Sequence, residues 1–282
     1  MHQTPRDTHI IDELLEERTQ TLRKVPLLWP AIRRWCLPFF RYPEAVYWAD
    51  RLAPCDAHTA LRLFAEYLSL DVRVTALQYV PRKGALLIVA NHPTGFVDAM
   101  AVHAALHGIR PDLQSFANRD VMRIVPEMHQ LVIPIEWLHH RRTKSAMRET
   151  LESTSVAFKE ERAIIIFPAG GIARGSVLGL RELDWLTATV KLIRRYGCAV
   201  LPVHIQARNS WLYYVLEAIH PELRDLLRFR EIFGKRQQRF DLTIGRAIAP
   251  AEIRGSPEEA ICSLQAYIER DLRDNAPFCK LV

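Results

Sequence analysis

The sequence predicts an α/β domain whose mostly parallel central sheet is flanked by helices, with a helical extension at the N-terminus. Short, continuous apolar runs such as GALLIVAN and AIIIFP are typical of strands that are buried on both faces of a sheet. Segments with helical periodicity, such as KSAMRETLESTSVAFKE and LTATVKLIRRYG, separate these runs. Strands that alternate with helices in this way indicate parallel βα units.

The chain has 282 residues, which suits one large α/β domain and an extension. We expect residues 1–75 to form an N-terminal helical segment and residues 76–282 to form the main domain. The formal net charge of +6 favours anionic partners. Because no compact Lys/Arg run or nucleic-acid motif accompanies this charge, we expect no nucleic-acid binding.

The five cysteines show no CxxC spacing, which is typical of free thiols in a reducing compartment. The first residues are too polar for a signal peptide, and no apolar run approaches the ~18 residues that span a bilayer. The sequence therefore predicts a cytoplasmic protein that is not an integral membrane protein.

One N-terminal run, VPLLWPAIRRWCLPFFRYPEAVYW, is dense in aromatic side chains and arginines and is interrupted by prolines. Such a segment is typical of a peripheral membrane anchor, in which aromatic rings lie at headgroup depth while Arg33, Arg34 and Arg41 meet anionic lipid. The alternative is a pair of helices packed on the domain core. The sequence leaves both interpretations open.

The run NHPTGFVD places a histidine at a strand end and a carboxylate at the start of the next helix. Pro93 and Gly95 bend the chain, so that Asp98 is able to bond one imidazole nitrogen of His92 and leave the other as a general base. A carboxylate in this role fixes the tautomer of the histidine. The alternative is that His92 ends a buried strand and Asp98 only caps a helix.

A second loop, FPAGGIAR, follows the buried strand AIII. Gly170 and Gly171 would let a ligand approach the backbone, and Arg174 would bind a phosphate or carboxylate through two hydrogen bonds. The alternative is a tight turn followed by an exposed arginine. Since ligands bind beyond the carboxyl ends of parallel strands, this loop and the His92 loop are expected at the functional edge of the sheet.

Three blocks, NHPTGFVD, FPAGGIAR and LPVHIQARNS, resemble those of the glycerolipid acyltransferase (1-acylglycerol-3-phosphate acyltransferase-like) superfamily in order and spacing. That family carries a His-x4-Asp block, a Phe-Pro-Glu-Gly-Thr-Arg block and a Val-Pro block. The resemblance runs from about Tyr79 to Pro250 and is closest to the bacterial NHPTG branch, which includes ornithine-lipid acyltransferases. It implies an acyltransferase-like fold.

The resemblance also implies an activity, the transfer of a fatty acyl group from acyl carrier protein or acyl-CoA to a hydroxyl of a lyso-lipid. His92 would be the general base and Asp98 its orienting partner. The reaction would take place at the inner face of the cytoplasmic membrane, with the protein bound peripherally. The thioester is a co-substrate, so no metal or separate cofactor is implied. The substrate-binding residues implied are Asn91, Thr94, Gly95, Phe167, Pro168, Gly170, Gly171, Arg174, Arg141 and Arg142.

Three departures from the family pattern concern the acceptor. Five residues instead of four separate His92 from Asp98, although a glycine-containing turn can absorb the extra one. Ala169 replaces the glutamate of the second block, and the block that normally ends in arginine ends here in Trp137. We therefore expect an acceptor other than lysophosphatidic acid, such as a 3-hydroxyacyl aminolipid or another lyso-lipid. The alternative function is a catalytically silent lipid-binding or membrane-associated scaffold with the same fold.

Overall fold

A computed structural model describes residues 8–25, 28–32, 37–136, 141–176 and 179–274 of the chain. Arg33, Arg34 and Trp137, which figure in the predictions above, lie outside these ranges. The strands in the described ranges are β1 (Asp71–Thr75), β2 (Leu86–Ala90), β3 (Leu113–Asn118), β4 (Val132–Ile135), β5 (Ala163–Ile166), β6 (Arg174–Ser176), β7 (Gly179–Arg181), β8 (Ala199–Gln206) and β9 (Arg239–Ile244).

Helices precede the first strand and separate most of the later ones. Their bounds are α1 (Ile10–Arg18), α2 (Leu28–Ala31), α3 (Tyr42–Leu52), α4 (Ala57–Leu68), α5 (Phe96–Leu106), α6 (Asp120–Ile124), α7 (Lys144–Lys159), α8 (Ala188–Tyr196), α9 (Trp211–Ile219), α10 (Pro221–Leu226), α11 (Arg228–Gly234) and α12 (Pro257–Ala266). The pattern of Ser256 followed three residues later by Glu259 predicts a helix cap, and the structure has it at the start of α12, where the Ser256 hydroxyl accepts a hydrogen bond from the Glu259 backbone N–H.

The central sheet has the strand order β1-β9-β8-β2-β5-β3-β4. Every neighbouring pair is parallel except β8 and β9, which confirms the mostly parallel sheet predicted from the sequence. All residues of β2 are buried, as the continuous apolar run GALLIVAN predicted. β2 therefore lies inside the sheet between β8 and β5, and the loop that follows it is held by both neighbours.

The residues of the sheet form a compact unit of three chain segments, Ser69–Asn118, Gln130–Arg208 and Gln237–Val282. β1, which falls within the expected N-terminal segment, belongs to this unit because it pairs in parallel with β9. The division of the chain into domains at residue 75 stays a prediction, because compact units of this kind need not fold independently.

A second compact unit contains the residues up to Leu68, Arg119–His129 and Asn209–Arg236, and its described elements are helical. In this unit Arg123 donates to the carboxylates of Glu13 and Glu17 on α1, each at 2.8 Å. Arg41, expected at lipid headgroups, lies 3.0 Å from the Glu44 carboxylate. No helix in the described ranges is long and apolar enough to cross a membrane.

Arg110 forms hydrogen bonds with residues that precede three strands of the sheet, β2, β3 and β5. Its guanidinium is almost fully buried and donates to the Asp112 carboxylate at 2.6 and 2.8 Å. It also donates to the carbonyls of Pro81, before β2, and Glu161, before β5, at 3.2 and 3.0 Å. A buried charge with this many partners is satisfied, but removing it leaves acceptors without donors.

We expect the substitution Arg110→Met to lower the free energy of unfolding by roughly 2–4 kcal/mol, because two carbonyls lose a donor and the partly buried Asp112 carboxylate loses its cation, keeping the bond from the Ala163 N–H. Arg148→Met is the matched control, since Arg148 pairs only with an exposed Glu152 and should cost less than about 1 kcal/mol. Urea denaturation measures both. Equal losses would show that Arg110 has no special structural role.

Candidate active site

The His92 loop and the Phe167 loop lie side by side. They follow β2 and β5, which are parallel neighbours with Val89 opposite Ile166. The rings of His92 and Phe167 stack with centroids 4.1 Å apart and planes 21° apart. The structure thus brings the first two sequence blocks together at the carboxyl edge of the sheet, where α/β proteins bind ligands.

The turn between His92 and Asp98 depends on Gly95. This residue precedes α5 with φ of +102° and ψ of −137°, a conformation that only glycine adopts without strain. A Cβ at this position would also lie 2.8 Å from Cδ1 of Ile172. Gly95 is therefore required by the backbone and by its packing, and its predicted contact with substrate stays a prediction.

Asp98 is fully buried, and its carboxylate accepts hydrogen bonds on both oxygens. The backbone N–H groups of Thr94 and Gly95 each donate to Oδ2 at 2.9 Å, and the Thr94 hydroxyl donates to Oδ1. Oδ2 also lies 2.9 Å from Nδ1 of His92. Asp98 thus caps α5 and lies close to the histidine with the same carboxylate, and the catalytic role of the two residues stays a prediction.

The contact between Asp98 and His92 is a close electrostatic approach, because Nδ1 meets the distance but not the direction of a hydrogen bond. The His92 side chain is largely buried against Phe167. With Nδ1 turned to Asp98, Nε2 is the nitrogen left for a substrate. The extra residue between His92 and Asp98 is compatible with their contact.

Asn91 joins the end of β2 to β8, which carries the third sequence block. Its side-chain amide donates to the Ile205 carbonyl at 2.9 Å, and its oxygen accepts from the Ile205 N–H at 2.7 Å. Such a paired bond fixes the start of the His92 loop against β8. A substrate contact by Asn91 stays a prediction.

The glycines of FPAGG are explained by packing. Gly170 has a φ of +63°, and a Cβ on Gly171 would lie 2.8 Å from Cδ1 of Leu183. Pro168 accepts a hydrogen bond from the Leu186 N–H at 3.0 Å, and Ala169 is buried in the hydrophobic core. The close approach expected of a ligand at Gly171 is therefore made by a side chain of this protein.

The predicted arginines lie in two places. Arg174 is exposed on β6, opposite Arg181 on β7, so the hairpin after the Phe167 loop presents two cations side by side. The sequence did not single out Arg181. Arg142 donates to the Glu136 carbonyl at 3.1 Å, and Arg141 precedes it. Both follow β4, which β5 and β3 separate from β2 in the sheet, and their predicted contact with substrate stays a prediction.

Glu182 is a buried residue of the site that the sequence did not predict. Its Oε1 accepts a hydrogen bond from the backbone N–H of His92 at 2.9 Å. Oε2 is buried without a directed hydrogen bond in the described structure. The only sequence signal is the presence of Leu183 and Trp185 beside it, since large apolar residues are unusual in an exposed loop.

Burial raises the pKa of Glu182 to about 8, and the nearby carboxylates of Glu269 and Asp98 add to the rise. The bond from the His92 N–H opposes it, as does the nearby indole of Trp185, although that N–H does not point at Oε2. At neutral pH the Glu182 carboxyl is therefore mostly protonated and uncharged.

Metal-ligating side chains do not gather at this site. In the described part of the chain, no group of three or more His, Cys, Asp or Glu residues could hold a metal ion. The rings of His103 on α5 and His107, the residue just after it, stack with centroids 4.8 Å apart.

The chain is similar in sequence to known acyltransferases. A family model described as Acyltransferase matches residues 71–206. The chain is 27% identical over 191 residues to a lyso-glycine lipid O-acyltransferase of Phocaeicola vulgatus, with 65% of this chain and 66% of the relative aligned. It is 26% identical over 190 residues to the protein of the same name from Bacteroides thetaiotaomicron, with 65% and 68% aligned. The aligned part thus spans slightly under two thirds of the first relative's length.

The fold also matches a solved structure. The 1-acyl-sn-glycerophosphate acyltransferase PlsC of Thermotoga maritima superposes with a TM-score of 0.52 at 17% identity, covering 86% of this chain and 96% of that one. At this level of identity the likeness concerns the fold alone, and it confirms the predicted acyltransferase-like fold class.

We expect the stability of the Glu182→Gln variant to increase relative to that of the wild type as pH rises. Between pH 4.5 and about 8 the unfolded chain ionises Glu182 while the folded protein keeps it protonated, so the wild type loses stability over this range. Glutamine does not titrate. The difference in the free energy of unfolding between variant and wild type should grow by roughly 2–4 kcal/mol from pH 4.5 to 8. Denaturation at several pH values measures it, and Glu258→Gln, on the surface, is the control. A constant difference would contradict the raised pKa.

Proposed function

We propose that the chain is a member of the glycerolipid acyltransferase superfamily and that it transfers a fatty acyl group from a thioester donor to the hydroxyl of a lyso-lipid; the family model, the two relatives and the shared fold support this proposal. The contact between His92 and Asp98 at the carboxyl edge of the sheet carries this proposal. It supplies a histidine whose orientation is fixed by a buried carboxylate, in a place where a substrate can bind.

The proposed reaction uses His92 as the general base. Nε2 removes the proton of the acceptor hydroxyl, and the oxygen attacks the thioester carbonyl to form a tetrahedral oxyanion. Asp98 stabilises the imidazolium that results. When the oxyanion collapses, the C–S bond breaks and the thiolate takes the proton from His92. The products are the ester and the free thiol of acyl carrier protein or coenzyme A, without an acyl-enzyme, a metal or a separate cofactor.

The acceptor that we propose is a lyso-aminolipid. Ala169 removes the glutamate that the family pattern has in the Phe-Pro block, and both curated relatives are named for a lyso-glycine lipid. Arg174 and Arg181 on the hairpin after this block would attract an anionic headgroup. The scaffold alternative would be favoured by a wide separation of His92 and Asp98, and their 2.9 Å contact opposes it.

We expect His92→Ala to lower kcat by about 10²–10⁴-fold, because the acceptor hydroxyl loses its base. The donor is a radiolabelled acyl group carried as a thioester on acyl carrier protein or on coenzyme A. The acceptors are lyso-glycine lipid, lyso-ornithine lipid and lysophosphatidic acid. His58→Ala, on the surface of α4, is the control and should transfer acyl groups at the wild-type rate. Equal turnover by wild type and His92→Ala would rule out His92 as the base, and no turnover with any pair of substrates would favour the scaffold.

We also propose that the protein acts peripherally at the inner face of the cytoplasmic membrane. Support comes from α9, where Trp211 and Ile219 are 74% and 65% exposed and Val215 between them is exposed too. Their spacing of four residues puts them on one side of the helix. In the same unit the Arg230 guanidinium lies 4.2 Å from the centre of the exposed Phe39 ring. Aromatic and basic groups together suit a lipid interface.

We expect the double substitution Trp211→Ser/Ile219→Ser to weaken binding to anionic phospholipid vesicles at least tenfold, since it removes apolar surface worth a few kcal/mol if buried. Vesicle sedimentation measures the partition coefficient. The control is Met147→Ser/Leu151→Ser, which removes two exposed apolar side chains from α7. The same loss in both proteins would show that α9 is not a specific contact.

A further inference from the structure

We propose that Glu182 is a positioning residue for His92, the base of the proposed reaction, because its carboxyl accepts a hydrogen bond from the backbone N–H of His92. The inference rests on the proposed function, since it assigns a role beside the histidine. A buried carboxyl thus reaches the His92 loop in a chain that has Ala169 where the family pattern has a glutamate.

The peptide groups of His92 are held on both sides. The His92 N–H donates to Oε1 of Glu182 at 2.9 Å, and the His92 carbonyl accepts from the Ala173 N–H at 2.9 Å. The imidazole is then set by Asp98 and Phe167. Of these contacts, the bond to Glu182 is the one made to the His92 backbone by a side chain. It is therefore the contact that a substitution can remove.

The segment that carries Glu182 is itself fixed, so its carboxyl does not have to be ordered when a substrate binds. The side chain of Gln265 on α12 donates to the Leu183 carbonyl at 3.1 Å and accepts from the backbone N–H of Trp185 at 3.2 Å. The Leu186 N–H donates to the Pro168 carbonyl at 3.0 Å. Residues 182–186 are thus anchored to α12 and to the Phe-Pro loop.

The protonation of Glu182 suits this role. Its carboxyl faces His92, Asp98 and Glu269, and of these Asp98 and Glu269 disfavour a further negative charge. The raised pKa of Glu182 keeps the group uncharged at neutral pH, and a protonated carboxyl still accepts the His92 N–H through its carbonyl oxygen. An uncharged Glu182 then adds no further negative charge next to His92.

Two substitutions of similar size separate the contact from the charge. Glu182→Gln keeps a carbonyl oxygen that can accept the His92 N–H, and Glu182→Met keeps the length without an acceptor. We expect Glu182→Met to lower kcat about 10- to 100-fold with KM within threefold, because the base is displaced. Glu182→Gln should restore kcat to within about threefold of wild type. Glu258→Met, at an exposed position on α12, is the control for the substitution itself.

A second measurement needs no substrate. With ¹⁵N-labelled histidine, the ring signals of His92, assigned by their loss in His92→Ala, should match wild type in Glu182→Gln and shift in Glu182→Met. Wild-type kcat in Glu182→Met, a rise in KM alone, or an equal loss in both variants would overturn the proposal, as would unshifted ring signals. If wild type transfers no acyl group, the proposed function fails, and the ring signals still decide whether Glu182 positions His92.

Discussion

Asp98 is fully buried, and a buried carboxylate must find donors for both of its oxygens. It finds them in the turn that precedes it, in the N–H groups of Thr94 and Gly95 and the Thr94 hydroxyl. This arrangement requires the turn to close tightly, which only a glycine at position 95 permits. The position of His92 beside Asp98 follows from this closure, so one buried charge shapes the start of α5 and the candidate active site together.

Much of the fold and half of the site could be predicted because the signals are local. The buried run before His92, the glycine turn and the Ser256 cap of α12 each lie within a few consecutive residues. Glu182 could not be predicted, because its burial depends on α12 and on the Phe-Pro loop, which are distant in sequence. Arg141 and Arg142 were expected to bind substrate from the family resemblance alone; they follow β4, which β5 and β3 separate from β2, and their role stays a prediction.

The Phe-Pro loop shows how a motif can keep its form while its contacts change. Gly171 was expected to admit a ligand, but Leu183 occupies the space that its missing side chain leaves. Ala169 lies in the hydrophobic core, where an ionised glutamate would be costly without a partner. The carboxyl beside His92 comes instead from position 182, on a segment that also covers the loop. The acceptor side of the site thus departs from the family pattern in packing as well as in charge.

The sheet topology constrains how the chain can fold during its synthesis. β2, β5 and β8, which carry the three sequence blocks, are all complete once residue 206 has left the ribosome. β1 is made before any of them, yet its partner β9 begins only at Arg239. Until then β1 has no strand to pair with, and an unpaired strand edge is prone to wrong association. Until β9 is made, the nascent chain therefore carries an unpaired β1 and an unpaired edge of β8, and this is the stage at which chaperone binding would matter most.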